Sequence, residues 1–324
     1  MVNKSYFRPR SFGTMQLESL LKDYLTAQTD ENPLVFNLLT EADTAKFYSD
    51  MYSEGFEPER PALYQQNKKE FSVKDNAHGT MSTLIQKIKT LIPEDGSVIE
   101  LGGSVYQKRS GNAVHELKNY FPLDISYSSM ARYANQFNRQ AIVADATILP
   151  FKDKSVDCFV THTFLEHPHR PDLVLEEVHR SLRPGGIVVH NDAWFCRWWH
   201  RFGIVGLKPW SDMNFKEKMV YNGYKITEFK LIRIPPIIIK RFLKDLFAKP
   251  KYPIKLSYKK LKPNYDLHLM CDEDAATSID PVDVIRFYES RGYQLIEPLT
   301  FKERLFLGNR WVGFRKKDET NQSE

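Results

Sequence analysis

Apolar and polar residues follow one another along residues 80–192 in a rhythm of helices and strands. TMSTLIQKIKTLI (80–92) has apolar residues at helical spacing, and SVIELG (97–102) follows it as a short buried strand. More elements follow in the same way: the strands YFPLDI, QAIVADA, VDCFVTHT and GIVVHND, and the helices GNAVHELKNY, SYSSMARYANQF and RPDLVLEEVHRSL. Ser126 is the expected cap of the second of these helices, and RPGG the expected stop of the third. The alternation predicts an α/β fold, with a doubly wound parallel sheet and helices on both faces.

The rhythm is interrupted once and resumes near the C-terminus. It stops at Trp194 and returns near Ile279 with the helix DPVDVIRFYESRGY and the strands QLIEPLTF and NRWVGFRKK. The N-terminal part is polar and irregular, with helical patterns near TMQLESLLKDYLTAQ and EADTAKFYSDMYSEG. We therefore predict five parts, which are a helical extension (1–80), a core (81–192), an insertion (193–279), the C-terminal part of the core (280–316) and a disordered tail (317–324).

Candidate ligand-binding residues fall at the ends of successive predicted strands. Gly102 and Gly103 follow the first strand, but the loop lacks the third glycine of a dinucleotide fingerprint, and no Walker-type Gly-Lys-Ser/Thr is present. Asp124 ends the second strand, Asp145 the third, and Thr161 lies at the end of the fourth. Because ligands of doubly wound sheets bind at the carboxyl ends of the strands, these residues predict one binding crevice.

Four segments resemble the class I S-adenosylmethionine-dependent methyltransferases, especially their small-molecule branch. They are VIELGGS, PLDIS, VADATILPFKDKSVDCFVTHTFLEH and LEEVHRSLRPGGIVV. The resemblance covers about residues 80–192, with weaker support at 280–316. It implies a Rossmann-like sheet of seven strands with the last antiparallel, S-adenosylmethionine as cofactor, and an insertion after strand five that covers the acceptor.

The resemblance also assigns cofactor contacts. Asp124 would bind the ribose hydroxyls, Asp145 would meet the adenine amino group, and Thr161 and His162 would line the methionine end. The complete predicted set is Glu100, Gly102, Gly103, Ser104, Asp124, Ile125, Asp145, Ala146, Thr161 and His162. Since Ser104-Val105-Tyr106 replaces a further glycine of the family, the first loop departs from the usual pattern.

Three residues near the ends of strands four and five are candidates for a catalytic base. They are His162, His190 and Asp192, and strand alternation puts the last two on the same side. Both could instead have structural roles, and we interpret Glu166 and His167 as structural. No metal site is predicted, because HPHR and HLMCDED lack zinc spacing.

Charge suggests a partner at the C-terminal side of the insertion. Of the net charge of +5, residues 230–262 contribute +10, with eleven Lys/Arg against Asp245. Together with the apolar residues of RIPPIIIKRFLKDLF, this block predicts either peripheral contact with an anionic membrane or a solvated basic face on a packed helix.

Composition and the remaining motifs bound the function. Cys158, Cys196 and Cys271 have neither CxxC spacing nor an even number, which favours a reducing, cytoplasmic location, with possible contact at the inner membrane face. The tail SIDPVDVIRFYESRGYQLIE resembles methyltransferases of bacterial surface-glycan synthesis, so we expect a small-molecule or glycan acceptor methylated on a sugar hydroxyl. The alternatives are a lipid or natural-product acceptor, or a degenerate domain that acts as a binding scaffold. A nucleic-acid substrate is disfavoured, because no Asn/Asp-Pro-Pro-aromatic motif is present.

Overall fold

A computed structural model describes residues 17, 20, 21, 35–37, 81–103, 117–197, 210–247, 253–263 and 275–318. Its strands are β1 (Val35–Asn37), β2 (Ser97–Leu101), β3 (Asn119–Asp124), β4 (Ala141–Val143), β5 (Val156–His162), β6 (Leu182–Asn191), β7 (Tyr258–Lys260), β8 (Thr277–Ile279), β9 (Tyr293–Leu295) and β10 (Val312–Lys316). Its helices are α1 (Met81–Leu91), α2 (Tyr127–Phe137), α3 (Pro171–Ser181), α4 (Phe215–Thr227), α5 (Lys230–Phe247), α6 (Pro281–Glu289) and α7 (Phe301–Leu305).

The main sheet has eight strands in the order β1-β4-β3-β2-β5-β6-β10-β9. Strands β1 to β6 pair in parallel, whereas β10 runs antiparallel to both β6 and β9. The predicted fold is therefore confirmed, with seven core strands of which the last is antiparallel. The structure adds β1 as an eighth strand beside β4. The strand order reverses between β2 and β5, which places a crevice at their carboxyl ends.

Both faces of the sheet are covered by helices, because successive strand residues point to opposite sides. In β2, Ile99 belongs to the buried cluster that includes Val178 of α3 and Ile285 of α6. Its neighbour Val98 belongs to the second cluster, which includes Ile88 of α1. Residues of α2 also lie in this second cluster. The two clusters fix the sheet in the interior, so only the strand ends are left to form a site.

Helix α2 begins as predicted, but several other predicted boundaries are wrong. The hydroxyl of Ser126 accepts the amide of Ser129 at 3.3 Å and so caps α2. Helix α3 ends at Ser181 and the chain enters β6 at once, so the RPGG glycines do not stop the helix. Gly185 instead lies within β6 with a φ of +73°.

Two predicted elements are shorter or different in kind. Of the strand predicted at QLIEPLTF (294–301), only Gln294 and Leu295 lie in β9, and Phe301 already begins α7. Within the predicted helix TMQLESLLKDYLTAQ, Leu21 forms a β-bridge with Phe151, and Leu17 lies in a 3-10 turn. The second N-terminal helix (41–55) and most of GNAVHELKNY lie outside the described residues.

The described part of the insertion contains two helices and one strand. A 3-10 turn (Trp210–Asp212) leads into α4, which is capped by reciprocal bonds between Asn214 and Glu217. Helix α5 follows, and β7 then pairs antiparallel with β8. No helix in the described ranges is both long and apolar enough to cross a bilayer.

Candidate functional site

The first loop depends on its two glycines because the chain packs closely against itself there. Both Gly102 and Gly103 donate their amides to the carbonyl of Leu123, at 2.9 and 3.2 Å. A Cβ on Gly102 would lie 2.4 Å from the ring of Phe164, and one on Gly103 would lie 2.6 Å from Pro122. Gly102 also has a φ of +73°, which L-residues rarely adopt. Packing within the chain therefore explains both glycines. The predicted contact at Ser104 falls outside the described residues.

Glu100 lies below the crevice and does not form its rim. Its side chain is 2% exposed, and its carboxylate accepts a hydrogen bond from the hydroxyl of Tyr120. This places Glu100 in the layer between the sheet and α2, where Tyr133 also lies. Its carboxylate contributes to the raised pKa of Tyr133, for which burial is the larger cause.

Asp124 lies at the open end of β3 with an unusual pKa. Its Oδ1 accepts the amide of Ser126 at 2.8 Å, and the next residue, Ile125, is half-buried. Burial raises the pKa of Asp124 to about 6, although the bond to Ser126 and the nearby His167 both favour the charged form. The site therefore holds a carboxylate that is only partly compensated by the protein. It is suited to accept hydrogen bonds from hydroxyl groups of a ligand.

Asp145 follows β4 and forms the next carboxylate along the same edge. Its Oδ1 accepts both the amide and the hydroxyl of Thr147, each at 2.8 Å. Among the described residues its Oδ2 has no hydrogen-bond partner. Ala146 is buried, whereas Ile148 is 71% exposed. Sequence reasoning did not single out Ile148, although an exposed isoleucine beside a predicted adenine contact is an apolar surface of the right kind.

Thr161, His190 and Asp192 lie together in the interior. The Thr161 hydroxyl donates to Oδ2 of Asp192 at 2.6 Å and lies 2.8 Å from Nδ1 of His190. Nε2 of His190 is 3.0 Å from the hydroxyl of Tyr288 on α6. Since the Thr161 hydrogen is used on Asp192, His190 donates from Nδ1 to Thr161, and in the neutral ring Nε2 then accepts from Tyr288. Burial keeps the pKa of Tyr288 well above its usual value, so the tyrosine retains the proton that it donates.

This cluster anchors the loop after β5. Oδ1 of Asp192 accepts the amides of Phe164 and Leu165, at 3.0 and 3.2 Å. Burial opposes ionisation of Asp192, but the adjacent ring of His190 and the bonds from Thr161 and Phe164 outweigh that effect and lower its pKa. We call these four residues, Thr161, His190, Asp192 and Tyr288, the buried cluster.

The geometry of the buried cluster disagrees with three predicted roles, those of His190 and Asp192 as catalytic residues and that of Thr161 as a contact of the methionine end of the cofactor. His190 and Thr161 are both 0% exposed, and both nitrogens of His190 are engaged. His190 therefore cannot reach an acceptor in the crevice, and Asp192 is occupied by its loop amides. Alternation did put His190 and Asp192 on one side of β6, but that side faces the interior. Tyr288 was missed, since no local pattern links α6 to the end of β6.

His162 is the predicted catalytic residue that remains at the edge. It is half-buried at the end of β5, and its Nδ1 lies 3.0 Å from the side-chain amide of Asn191 at the end of β6. Thr163 follows with a φ of +48° and donates its amide to the carbonyl of Asn191 at 3.1 Å. The loop beyond β5 therefore turns at Thr163, directly after His162.

Glu166 and His167 tie this loop to the insertion. The carbonyl of Glu166 accepts the amides of Ala276 and Thr277, both at 2.9 Å, where the insertion returns to the core. Nε2 of His167 lies 3.8 Å from the Glu166 carboxylate. These contacts agree with the structural interpretation of the LEH motif.

The aromatic residues that begin the insertion are partly core. Trp194 is 4% exposed and donates its ring N–H to the carbonyl of Arg310 at 2.9 Å. Trp194 is therefore a core residue and is not available to stack on an acceptor. Trp198 and Trp199 lie outside the described residues.

The arrangement at the edge fits a cationic nucleoside without phosphate. Two half-buried acids, Asp124 and Asp145, stand at the ends of neighbouring strands, and burial raises the pKa of the first to about 6. A carboxylate in this environment gains from hydrogen bonds to sugar hydroxyls or an exocyclic amine, whereas a pyrophosphate would be repelled.

Comparisons with known proteins agree with this description. Residues 103–190 match the family described as "Methyltransferase domain". An uncharacterised protein of Methanocaldococcus jannaschii, MJ1123, is 31% identical over 105 residues, which are 32% of this chain and 48% of that protein. The chain thus spans about half the length of this curated relative.

Solved structures show distant likeness. A Bacillus halodurans protein provisionally assigned as a methyltransferase is 14% identical, with 67% of this chain and 70% of that chain covered and a TM-score of 0.39. A Methanococcus maripaludis protein provisionally assigned as an S-adenosylmethionine-dependent methyltransferase is also 14% identical, with 82% and 99% covered and a TM-score of 0.35.

Proposed function

We propose that the chain is a class I S-adenosylmethionine-dependent methyltransferase that transfers a methyl group to a sugar hydroxyl of a small-molecule or glycan acceptor, since residues 103–190 match a methyltransferase domain. The observation that carries the proposal is the pair of half-buried carboxylates, Asp124 and Asp145, on adjacent strands within the matched segment 103–190. The crevice they border lies where the strand order reverses.

The cofactor contacts follow from the chemistry of each side chain. Asp124 accepts hydrogen bonds from the ribose hydroxyls, and Asp145 accepts one from the adenine amino group through its Oδ2. The exposed Ile148 packs against the adenine ring. Gly102 and Gly103 hold the first loop close to β3.

His162 is the candidate base for the acceptor hydroxyl. When bound, S-adenosylmethionine supplies a methyl group on a positively charged sulfur. His162 takes the hydroxyl proton on Nε2, which requires that Nδ1 carry the other proton. In the structure Nδ2 of Asn191 faces Nδ1 of His162. A half-turn of the amide group places its oxygen there instead, where it accepts the Nδ1 proton and stabilises that tautomer. General-base assistance of this kind contributes about 100-fold or more to a rate.

The acceptor class is supported by the C-terminal sequence and by charge. The segment SIDPVDVIRFYESRGYQLIE resembles glycan methyltransferases, and the basic residues of 230–262 suit an acceptor that carries phosphate or is linked to lipid. An anionic membrane as a peripheral partner through 230–262 is consistent with a lipid-linked acceptor. A degenerate binding scaffold is the competing function, since the first loop lacks the usual third glycine.

Methyl labelling of a cell extract tests the proposal. The purified protein is incubated with methyl-labelled S-adenosylmethionine, and glycans, nucleotide sugars and lipid-linked sugars are analysed by mass spectrometry. We expect label on a sugar oxygen with the wild-type protein and about 100-fold less with His162→Gln. Label on protein or nucleic acid would contradict the acceptor class. Binding of the cofactor without any labelled product would favour the scaffold.

A further inference from the structure

Helix α5 is oriented with its charged side toward the protein and its apolar side toward solvent. On the inner side, Arg241 is 2% exposed and its guanidinium contacts Asp280, the N-cap of α6, at 2.9 Å. The same guanidinium donates to the carbonyl of Leu305 at the end of α7, at 2.8 Å. Helix α5 is thus attached to the core by polar contacts, in contrast to ordinary amphipathic helices, which pack through their apolar side.

Further ion pairs continue this inner side. Asp245 lies 3.5 Å from Arg286 of α6 and 3.6 Å from Arg304 of α7. Lys244 pairs with Asp283 of α6. The ion pairs fix the rotation of α5 about its axis, so its opposite side must face outward.

The opposite side is a continuous apolar surface, which we call the outer face of α5. Its members are Leu231, Ile232, Pro235, Pro236, Ile239, Phe242, Leu243 and Leu246, all of them exposed. At 100° per residue these positions occupy one side of the helix without a charged residue between them. Leu231 is 76% exposed and Leu246 61%, so both ends of the face are open. Phe301 of α7, 52% exposed, extends the face, with its ring 6.1 Å from that of Phe242.

Exposed lysines lie on and near this face within the basic segment 230–262. Lys240 is exposed at the edge of the face on α5, 3.7 Å from Asp283. Lys259 and Lys260 are exposed on β7, farther along the same basic segment. An apolar face with a positive border matches an anionic lipid surface. A second copy of the chain would bring positive borders together, which disfavours self-association.

We propose that the outer face of α5, with Phe301 beside it, docks the protein on the surface of a membrane that contains anionic lipid. The apolar side chains enter the boundary between headgroups and acyl chains, and the lysines contact the headgroups. Docking is peripheral, since none of the described helices could cross a bilayer. It does not require methyl transfer, so it can hold or fail independently of the proposed activity.

Vesicle co-sedimentation of the full chain tests the proposal. The probes are vesicles of phosphatidylcholine mixed with phosphatidylglycerol, and vesicles of phosphatidylcholine alone. We expect the wild-type protein to prefer the anionic vesicles, and the double variant Ile239→Ser, Leu243→Ser to bind them about tenfold more weakly. The double variant Lys259→Glu, Lys260→Glu should also bind at least about fivefold more weakly. Leu173→Ser, at an exposed leucine on α3, is the matched control and should bind like the wild type.

Two further measurements keep the test decisive. Phe242→Trp reports insertion directly, because its fluorescence should shift to shorter wavelength with anionic vesicles, even if the serine variants fail to fold. Equal binding by the wild type and Ile239→Ser, Leu243→Ser, or no binding by the wild type, would overturn the proposal. So would a concentration-dependent dimer that the same double variant abolishes, because the face would then belong to a second copy.

Discussion

Asp124 and Asp192 lie at the carboxyl edge of the same sheet, yet their surroundings differ in kind. Asp192 accepts the Thr161 hydroxyl and two loop amides, and these bonds lower its pKa despite burial. Asp124 accepts the amide of Ser126, and burial dominates and raises its pKa to about 6. The number of hydrogen bonds from the protein separates the two. An acid whose bonds are satisfied by the protein supports the fold, whereas an acid with capacity left can bind a ligand.

The largest expected effect is on folding, from removal of the satisfied acid. Asp192→Ala should lower the free energy of unfolding by about 3–5 kcal/mol, because it leaves two buried amides and the Thr161 hydroxyl without their acceptor. Urea denaturation measures this. Asp145→Ala, which removes an acceptor from a half-exposed turn, is the control and should cost about 1 kcal/mol. Equal losses for the two variants would mean that burial of Asp192 carries no special weight.

The second-largest expected effect is on turnover and comes from His162, at the same carboxyl edge of the sheet as Asp124 and Asp192. His162→Gln should lower turnover about 100-fold, because the base for the acceptor hydroxyl is lost. Affinity for S-adenosylmethionine should stay within about twofold, since a glutamine keeps a polar group beside Asn191. Single-turnover kinetics with the acceptor identified by labelling separates the two quantities. Full activity of the variant would place the base elsewhere.

The pH dependence of cofactor binding should follow Asp124. Its folded-state pKa of about 6 lies above the ordinary value, so the carboxylate is protonated as the pH falls through 6 and loses its capacity to accept two ribose hydrogens. Cofactor affinity should therefore fall below about pH 6, and this dependence should be absent from Asp124→Asn. Calorimetry across this range measures it. The same slope in both proteins would assign the titration to another group.

Ionisation of Asp124 favours cofactor binding, but it opposes folding. Because the pKa of Asp124 is raised by folding, its contribution is fully present below the unfolded pKa and is lost as the pH rises through about 6. Asp192, with a lowered pKa, contributes above its unfolded pKa and loses that contribution in acid. The two acids thus oppose each other, which unfolding of single variants at several pH values can resolve.

The smallest expected effect is at the far end of the buried cluster. Tyr288→Phe removes the hydroxyl that donates to His190 but keeps the ring stacked on Phe314, at 4.6 Å between centroids. It should cost about 1 kcal/mol and leave cofactor affinity unchanged. Tyr293→Phe, which removes the bond to His179, is a matched control outside the cluster. A loss of cofactor affinity in Tyr288→Phe alone would connect the buried cluster to the crevice.

The sheet and the cofactor class could be predicted from local patterns. The apolar run of SVIELG predicted strand β2, because this strand is buried on both faces of the sheet. The Ser126 cap marks the start of α2. The motifs around Asp145 and His162 suggested the methyltransferase family and S-adenosylmethionine, and residues 103–190 match a methyltransferase domain.

The roles of individual residues depended on tertiary contacts that the sequence does not display. Alternation predicted that His190 and Asp192 share a side of the strand. That this side faces the interior depends on the contact of His190 with Tyr288, about a hundred residues away in the sequence. Helix α5 shows the same limit on a larger scale. The sequence predicted either membrane contact or a solvated basic face, and the ion pairs of Arg241, Lys244 and Asp245 with the core determine that the apolar side points outward.

Calorimetric titration of the wild-type protein and Asp124→Ala with S-adenosylmethionine tests the central claim most directly. We predict one site in the wild type and an affinity about tenfold lower or more in Asp124→Ala, because a hydrogen bond to a charged group is worth about 1.5–3 kcal/mol. Urea denaturation should show that Asp124→Ala is at least as stable as the wild type. No binding by the wild type, or equal affinity in both proteins, would contradict the account.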